Sequence, residues 1–284
     1  MSITAQGFAY IRELVRSRSG LVLEPGKEYL VEARLRPLAE KAGVESVQRF
    51  IDGLRTTSPG AAHRNAIEAM ATNETSFFRD AAAFESLRKV ILPAIIENRR
   101  KQEAINAWCA ACSTGQEPYT LAIVVREYFP QLARWSIRIR ATDLSRKAVE
   151  RAQTGRFSQR EVERGMSAPL VVKYFVRIGA NWQLNEQVRE MVEFSELNLT
   201  QAWPVLPAMD LILLRNVLYY FDALTRRRIL DQVTRTLASD GYLLVGNTET
   251  TCGVHEDFER LTEDQSGWHR LKHDARRSLP LCHP

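Results

Sequence analysis

The sequence predicts an α/β protein, a doubly wound and mostly parallel sheet, preceded by an all-helical N-terminal domain. Three stretches carry that expectation. Trp108–Tyr119 (WCAACSTGQEPY) reads as a strand that breaks into a small-residue loop and then a helix. Ser136–Asp143 is a short alternating strand ending in an acid, followed by a helical pattern over 144–154. Met209–Phe221 opens as a near-continuous apolar run, the pattern of a central parallel strand, and ends in Arg215, Asn216 and aromatics.

In the first stretch Ala110, Ala111, Ser113 and Gly115 leave little side-chain bulk, so a ligand can approach the backbone. Pro118 suits a first helical turn, where a missing N–H costs nothing. Leu121–Val125 continues as a buried helix. Such a junction is where open α/β sheets bind nucleotides. It has neither the G-x-G-x-x-G of dinucleotide-binding dehydrogenases nor the Gly-Lys-Ser/Thr of a P-loop. Asp143, ending the second strand, can accept two hydrogen bonds from a ribose diol; its ordinary alternative is to cap the following helix. After the 108–119 loop, at this spacing, the ribose reading prevails, and the ligand class is adenosine-like.

Further along, Asp222 is placed to cap a helix over 223–237, with Ile229, Leu230, Val233 and Leu237 on one face. A strand is predicted over 241–247, and a closing antiparallel pair at 258–261 and 268–271. Strand–helix alternation over 103–273 makes this the doubly wound domain. Upstream, Phe8, Ile11, Leu14 and Val15 recur at helical spacing, and looser sets around Leu30, Phe50 and Ile67 suggest three more helices. Gly20, Pro25-Gly26, Gly43 and Ser58-Pro59-Gly60 punctuate them. The expected organisation is a helical domain over 1–75, a linker 76–101 whose helix is kinked at Pro93, and a main domain over 102–274. That domain carries a small β-insertion near 165–192, with strands at 171–177 and 182–184, and a flexible tail follows at 275–284.

Composition is that of an ordinary globular chain. The 284 residues are ample for a core, and the net charge of +5 is modest. No apolar run reaches membrane-spanning length, and the N-terminus lacks a signal peptide's apolar stretch, so a cytoplasmic protein is expected. Cys109 and Cys112 form a C-x-x-C, but no second ligand pair or thioredoxin-like context accompanies it. With Cys252 and Cys282 they are too few for a disulfide framework, and the pair is expected to serve as small packing residues. No metal is expected.

Five motifs, in this order and spacing, resemble the chemotaxis receptor methyltransferases of the CheR type: Thr72–Asp80 (TNETSFFRD), Ala110–Tyr119, Ala141–Ser145 (ATDLS), Asn198–Thr200 (NLT) and Leu214–Phe221 (LRNVLYYF). The resemblance spans about residues 5–273. It implies an S-adenosylmethionine-dependent methyltransferase sheet with a small β-subdomain insertion and a receptor-facing helical domain. The implied product is a glutamyl methyl ester on the cytoplasmic helices of methyl-accepting receptors, with S-adenosylhomocysteine left behind.

Carried over residue by residue, Asn73, Thr75 and Arg79 meet the cofactor, Ala110 and Gln116 belong to its loop, and Asp143 takes the ribose. Asn198 and Leu199 flank the adenine, and Asn216 and Val217 border the ligand. Arg79 and Tyr220 are the catalytic candidates; a surface charge and a packing aromatic are their ordinary alternatives, and Asn198 can simply end its strand. Gln116 departs from members with Glu there, which removes a charge facing the ligand's amino group. Arg34, Arg36, Lys41, Arg49 and Arg55 suit acidic receptor helices. Interleaved Glu32, Glu40, Glu45 and Asp52, with no groove-reading motif, argue against nucleic acid. The segment between Phe175 and Val192 is shorter than in members tethered to a receptor's C-terminal pentapeptide, so tether independence is expected. A methyltransferase for small molecules or nucleic acid, and a non-catalytic adaptor, are the alternative functions.

Overall fold

Thr4 and Ser46 open helices for the same reason. Each side-chain oxygen accepts an N–H that a first helical turn leaves unpartnered: Gly7 at 3.0 Å and Arg49 at 3.2 Å. In a computed structural model of the chain, which describes residues 3–249, 251, 255–261 and 266–272, these residues begin α1 (Ala5–Ser19) and α3 (Val47–Thr56), with α2 (Glu28–Lys41) and α4 (Ala61–Met70) completing a helical bundle. Gly20 ends α1 at φ 74°, a left-handed conformation that only glycine adopts at no cost. Phe8, Ile11, Val15, Val31, Leu35 and Ile51 supply the buried faces.

The chain divides into two compact units, Met1–Thr72 with Tyr220–Thr225, and Asn73–Tyr219 with Arg226–Pro284. The short return segment enters the helical unit by backbone pairing: Leu21 bridges Phe221, and Val22 N–H donates to the Tyr220 carbonyl at 2.8 Å. Local periodicity carries no trace of that pairing.

The second unit starts with α5 (Ala81–Ser86) and α6 (Leu92–Asn98), joined by a π-turn over Leu87–Ile91. Pro93 has no N–H to donate back along the helix. The widened turn, in which Leu92 N–H bonds Leu87 C=O, takes up the mismatch just before it. There follow β1 (Ala104–Ala110), α7 (Gln116–Tyr128), β2 (Ser136–Asp143), α8 (Arg146–Thr154), β3 (Arg156–Ser158), α9 (Gln159–Glu163) and α10 (Ala168–Tyr174). Next come β4 (Phe175–Ile178), β5 (Asn181–Leu184), α11 (Glu186–Arg189), β6 (Val192–Glu196) and β7 (Met209–Leu214). The last elements are α12 (Ala223–Thr236), β8 (Leu237–Val245), β9 (Phe258–Arg260) and β10 (Trp268–Leu271).

The large sheet runs β6-β2-β1-β7-β8-β10-β9, with the first five strands parallel and β10 antiparallel to both of its neighbours, β8 and β9. β7 is buried along its whole length, as its apolar run requires for a strand covered on both faces. At the strand starts Arg99 clamps two acids, donating through Nε to Asp210 at 2.6 Å and through Nη1 to Asp240 at 2.8 Å. Asp210 also accepts the Asn106 N–H at 2.7 Å. Burial pushes the Asp210 carboxyl up, while the Arg99 guanidinium holds Asp240 down.

Two expectations need correction. Residues 171–174 are helical, not strand: Pro169 sits in the first turn of α10, Val171 N–H bonds Ser167 C=O, and Leu170 and Tyr174 pack on the core at i, i+4 spacing. The small antiparallel sheet runs β3-β5-β4, recruiting Arg156–Ser158 from well before residue 165. Cys252, Cys282 and the 275–284 tail lie outside the described residues.

Candidate functional site

Register brings the predicted residues together. Ala110 lies level with Thr142 on β2 and Leu214 on β7, and Asp143 lies level with Glu196 on β6. The strands are parallel, so the 111–115 loop, Asp143, Asn198–Leu199 and Asn216–Val217 all leave the sheet at one edge. Chain winding reverses between β1 and β7, and a ligand crevice opens at such a switch point.

The loop after β1 is held in a demanding shape. Ala111, Ser113 and Gly115 have φ of 58°, 52° and 93°, a region that costs non-glycine residues about 1 kcal/mol or more each. Cys112 N–H donates to Thr142 C=O at 2.9 Å, which ties the loop to β2. A Cβ on Gly115 would lie 2.9 Å from the Ala152 Cβ, so glycine is needed for space as well as for φ. That Cβ would also lie 3.3 Å from the Phe194 and Tyr119 rings, so the loop packs closely on its neighbours at this position.

Asp143 is buried, and backbone amides set its carboxylate. Ser113 N–H donates to Oδ2 at 2.8 Å and Ser145 N–H to Oδ1 at 2.9 Å. The helix-capping role goes to Ser145, whose hydroxyl oxygen accepts the Ala148 N–H at 3.2 Å. Asn198 folds back on its own turn, with Oδ1 accepting from Thr200 N–H at 3.0 Å and Oγ1 at 2.8 Å. Leu199 is buried, and its carbonyl accepts from the Trp203 indole at 3.2 Å. That indole packs edge-on to Trp108 at 4.6 Å.

Residues 73–80 are fastened to the same edge. Ser113 Oγ donates to Asn73 C=O at 3.1 Å, and Phe78 N–H donates to Thr120 Oγ1 at 3.2 Å. Phe77, fully buried, packs edge-on to Phe157 and Phe175 at 4.9 and 5.6 Å, which anchors the segment on the small sheet. Arg79 is half-buried and donates to Glu74 C=O at 2.8 Å, and Thr75 is half-buried beside it. Tyr220, the other catalytic candidate, belongs to the helical unit.

The main charges are Arg215, Glu117 and Asp80, none of them singled out as site residues from sequence. Arg215 donates to Glu117 at 2.8 Å, to Asp80, and to Arg79 C=O at 2.9 Å, and lies over the Phe84 ring. Burial pushes the Glu117 carboxyl up, and Arg215 opposes the shift. Gln116 is buried, and its Oε1 accepts from the Thr114 hydroxyl at 2.7 Å. Asn216, at φ 57°, begins a turn whose amides converge on Glu249, a residue that sequence reasoning missed. Its only sequence signal is a Gly-Asn-Thr-Glu run directly after a strand.

Burial raises both Cys109 and Cys112, which are free thiols. Among the described residues no cluster of His, Cys, Asp or Glu is arranged to hold a metal ion, and no helix is long and apolar enough to cross a membrane. In the helical unit Arg34 turns onto its own chain, donating to Met70 C=O and Thr72 Oγ1, while Arg36 and Arg49 pair with Glu32 and Glu45. At the sheet edge, a carboxylate aimed by two amides, a loop of small residues and a buried apolar neighbour fit an adenosine-bearing ligand.

Two family models match nearly the whole chain. Residues 6–71 match the CheR methyltransferase all-alpha domain, and residues 73–266 match the CheR methyltransferase SAM binding domain. Among curated relatives, Chemotaxis protein methyltransferase Cher2 of Pseudomonas putida is 33% identical over 264 residues, covering 91% of this chain and 95% of the relative. Chemotaxis protein methyltransferase 1 of Pseudomonas aeruginosa is 34% identical over the same length and coverage.

Proposed function

Because the chain belongs to the CheR methyltransferase family, we propose that it methylates glutamate side chains of chemoreceptors, forming γ-glutamyl methyl esters that adjust chemosensory signalling during adaptation. S-adenosylmethionine supplies the methyl group as an activated sulfonium. A glutamate oxygen attacks the methyl carbon, the O–C bond forms as the S–C bond breaks, and the sulfur keeps the electron pair. No proton moves. The glutamate is already ionised near pH 7, so the residues of the site align and desolvate it rather than activate it.

The observation that carries this reading is the attachment of residues 73–80 to the cofactor loop through Ser113 and Arg215. Those contacts fix the Arg79 backbone beside Arg215 and Asn73 beside the loop that also gives Asp143 an amide, which supports reading Arg79 as part of the site. In this reading Asp143 takes the ribose hydroxyls, Asn198 and Leu199 flank the adenine, and Asn216 and Val217 border the ligand. Asn73, Thr75, Ala110 and Gln116 line the methionine end. Arg79 holds the incoming carboxylate, and Tyr220 is the second candidate for a catalytic role.

The helical unit is the receptor-facing part, with Arg36, Lys41, Arg49 and Arg55 steering it toward acidic helices. The shortness of the 175–192 segment supports action without a pentapeptide tether. Such an enzyme works in the cytoplasm on the receptors' cytoplasmic helices.

The test is incubation with methyl-labelled S-adenosylmethionine and chemoreceptor-containing membranes, followed by mild base. Receptor-bound label released as methanol establishes the ester. Label that stays on the receptor after base overturns the glutamyl-ester assignment, and binding of S-adenosylhomocysteine without any transfer favours an adaptor role. The tether clause is read in the same assay: a free C-terminal pentapeptide leaves the rate unchanged.

A further inference from the structure

The carboxylate of Glu249 accepts hydrogen bonds from five backbone amides. Asn216 N–H and Gly246 N–H reach Oε2 at 2.7 and 2.8 Å, and Val217, Leu218 and Tyr219 reach Oε1 at 2.8, 2.6 and 3.3 Å. The four consecutive donors, 216–219, form the turn at the end of β7, and the fifth lies at the end of β8. Glu249 is itself held by a tight turn, its N–H bonding Gly246 C=O at 2.8 Å. Gly246 has no room for a side chain, because a Cβ there would sit 2.6 Å from Glu249 Oε2 and 2.8 Å from Asn216 Nδ2.

We propose that Glu249 is a positioning residue for cofactor binding: it latches the Asn216–Tyr219 turn to the end of β8 and holds Asn216 and Val217 where they border the ligand. The inference rests on the cofactor-site reading above. Asn216 has φ 57°, the left-handed region, which asparagine enters more readily than most residues but still at some cost. One carboxylate accepts from four successive amides together through charge-assisted bonds. Without that carboxylate the turn can relax toward lower strain, and Asn216 and Val217 lose their fixed place. Nothing in this role touches the reacting atoms. Its signature is therefore weaker cofactor binding with local loosening, not loss of fold.

The first measurement uses ligand-free protein. Hydrogen exchange of the 216–219 amides is slow in wild type and about tenfold or more faster in Glu249→Ala, while α7 exchanges unchanged. Calorimetric binding of S-adenosylhomocysteine weakens by about tenfold or more. Acetate, the fragment deleted by the substitution, restores part of that affinity where chloride at equal ionic strength does not. Glu249→Gln keeps the length and one acceptor oxygen but turns an NH2 toward backbone donors. It serves where the alanine variant fails to fold, and its binding is also expected to be weaker than wild type.

Either folded variant binding S-adenosylhomocysteine within about twofold of wild type overturns the inference. So does a weakened Glu249→Ala protein on which acetate has no effect. Wild-type protein that binds no S-adenosylhomocysteine overturns the cofactor reading and this inference together, so the two failures separate before any variant is made.

Discussion

Arg215 and Glu117 form an ion pair at 2.8 Å in which the arginine side chain is 2% exposed and the glutamate 12%. The pair joins the end of β7 to the first turn of α7, and Arg215 reaches on to Asp80 and the Arg79 carbonyl. One guanidinium thus ties the sheet, the cofactor loop's helix and the segment bearing Arg79.

Removing that guanidinium strands a buried carboxylate. Arg215→Leu is expected to lower stability by about 3–5 kcal/mol, the usual cost of breaking a buried pair from one side. Glu117 already titrates above its ordinary value, and losing Arg215 raises it further. An acid raised in the folded state contributes stability below its unfolded value, near 4.5, and that contribution is lost as pH rises through the folded value. The variant's deficit in urea midpoint against wild type should therefore be smaller at about pH 5 than at about pH 8. An equal deficit at both would remove Glu117 from the account.

Arg79 should behave differently. It is half-buried, its side chain donates to the Glu74 carbonyl, and the bond from Arg215 goes to its backbone carbonyl, which alanine keeps, so Arg79→Ala should shift stability by less than about 1 kcal/mol. Methyl-ester formation should fall by about tenfold or more, as loss of a charge-assisted contact to a reacting carboxylate requires. A folded variant that methylates receptors at the wild-type rate would take Arg79 out of the mechanism.

Gln116 gives a prediction with a built-in control. Gln116→Glu keeps the acceptor for Thr114 and, in the proposed cofactor site, puts a charge opposite the ligand's amino group. Charge-assisted bonds are about twice as strong as neutral ones, so affinity for S-adenosylhomocysteine should rise by about threefold to tenfold. 5′-Methylthioadenosine, which lacks the amino acid end, should gain nothing. Equal gains for both ligands would place Gln116 elsewhere.

The C-x-x-C should be chemically quiet. Burial raises both thiols, and a thiol above its ordinary value carries little thiolate near neutral pH. Iodoacetamide should leave Cys109 and Cys112 unmodified in native protein and alkylate both after denaturation, read by peptide mass spectrometry. Native-state labelling of either would reopen the redox reading.

By itself the sequence determined the class of the fold and the strand ends that come level at one edge of the sheet. Ala110, Asp143 and Asn216 end runs whose apolar pattern fixes strand length, and parallel register then brings those ends together. Such signals are local, so a single stretch of chain contains them. Tertiary structure alone decided which side chains hold the site in place. Arg215 finds partners 98 and 135 residues away, and Glu249 finds its amides up to 33 residues back. The pairing of Leu21 with Phe221, and the recruitment of Arg156–Ser158 to the small sheet, likewise depend on distant chain. Such contacts leave no period in the sequence, because what selects them is the cost of an unpaired charge or amide once the elements have packed.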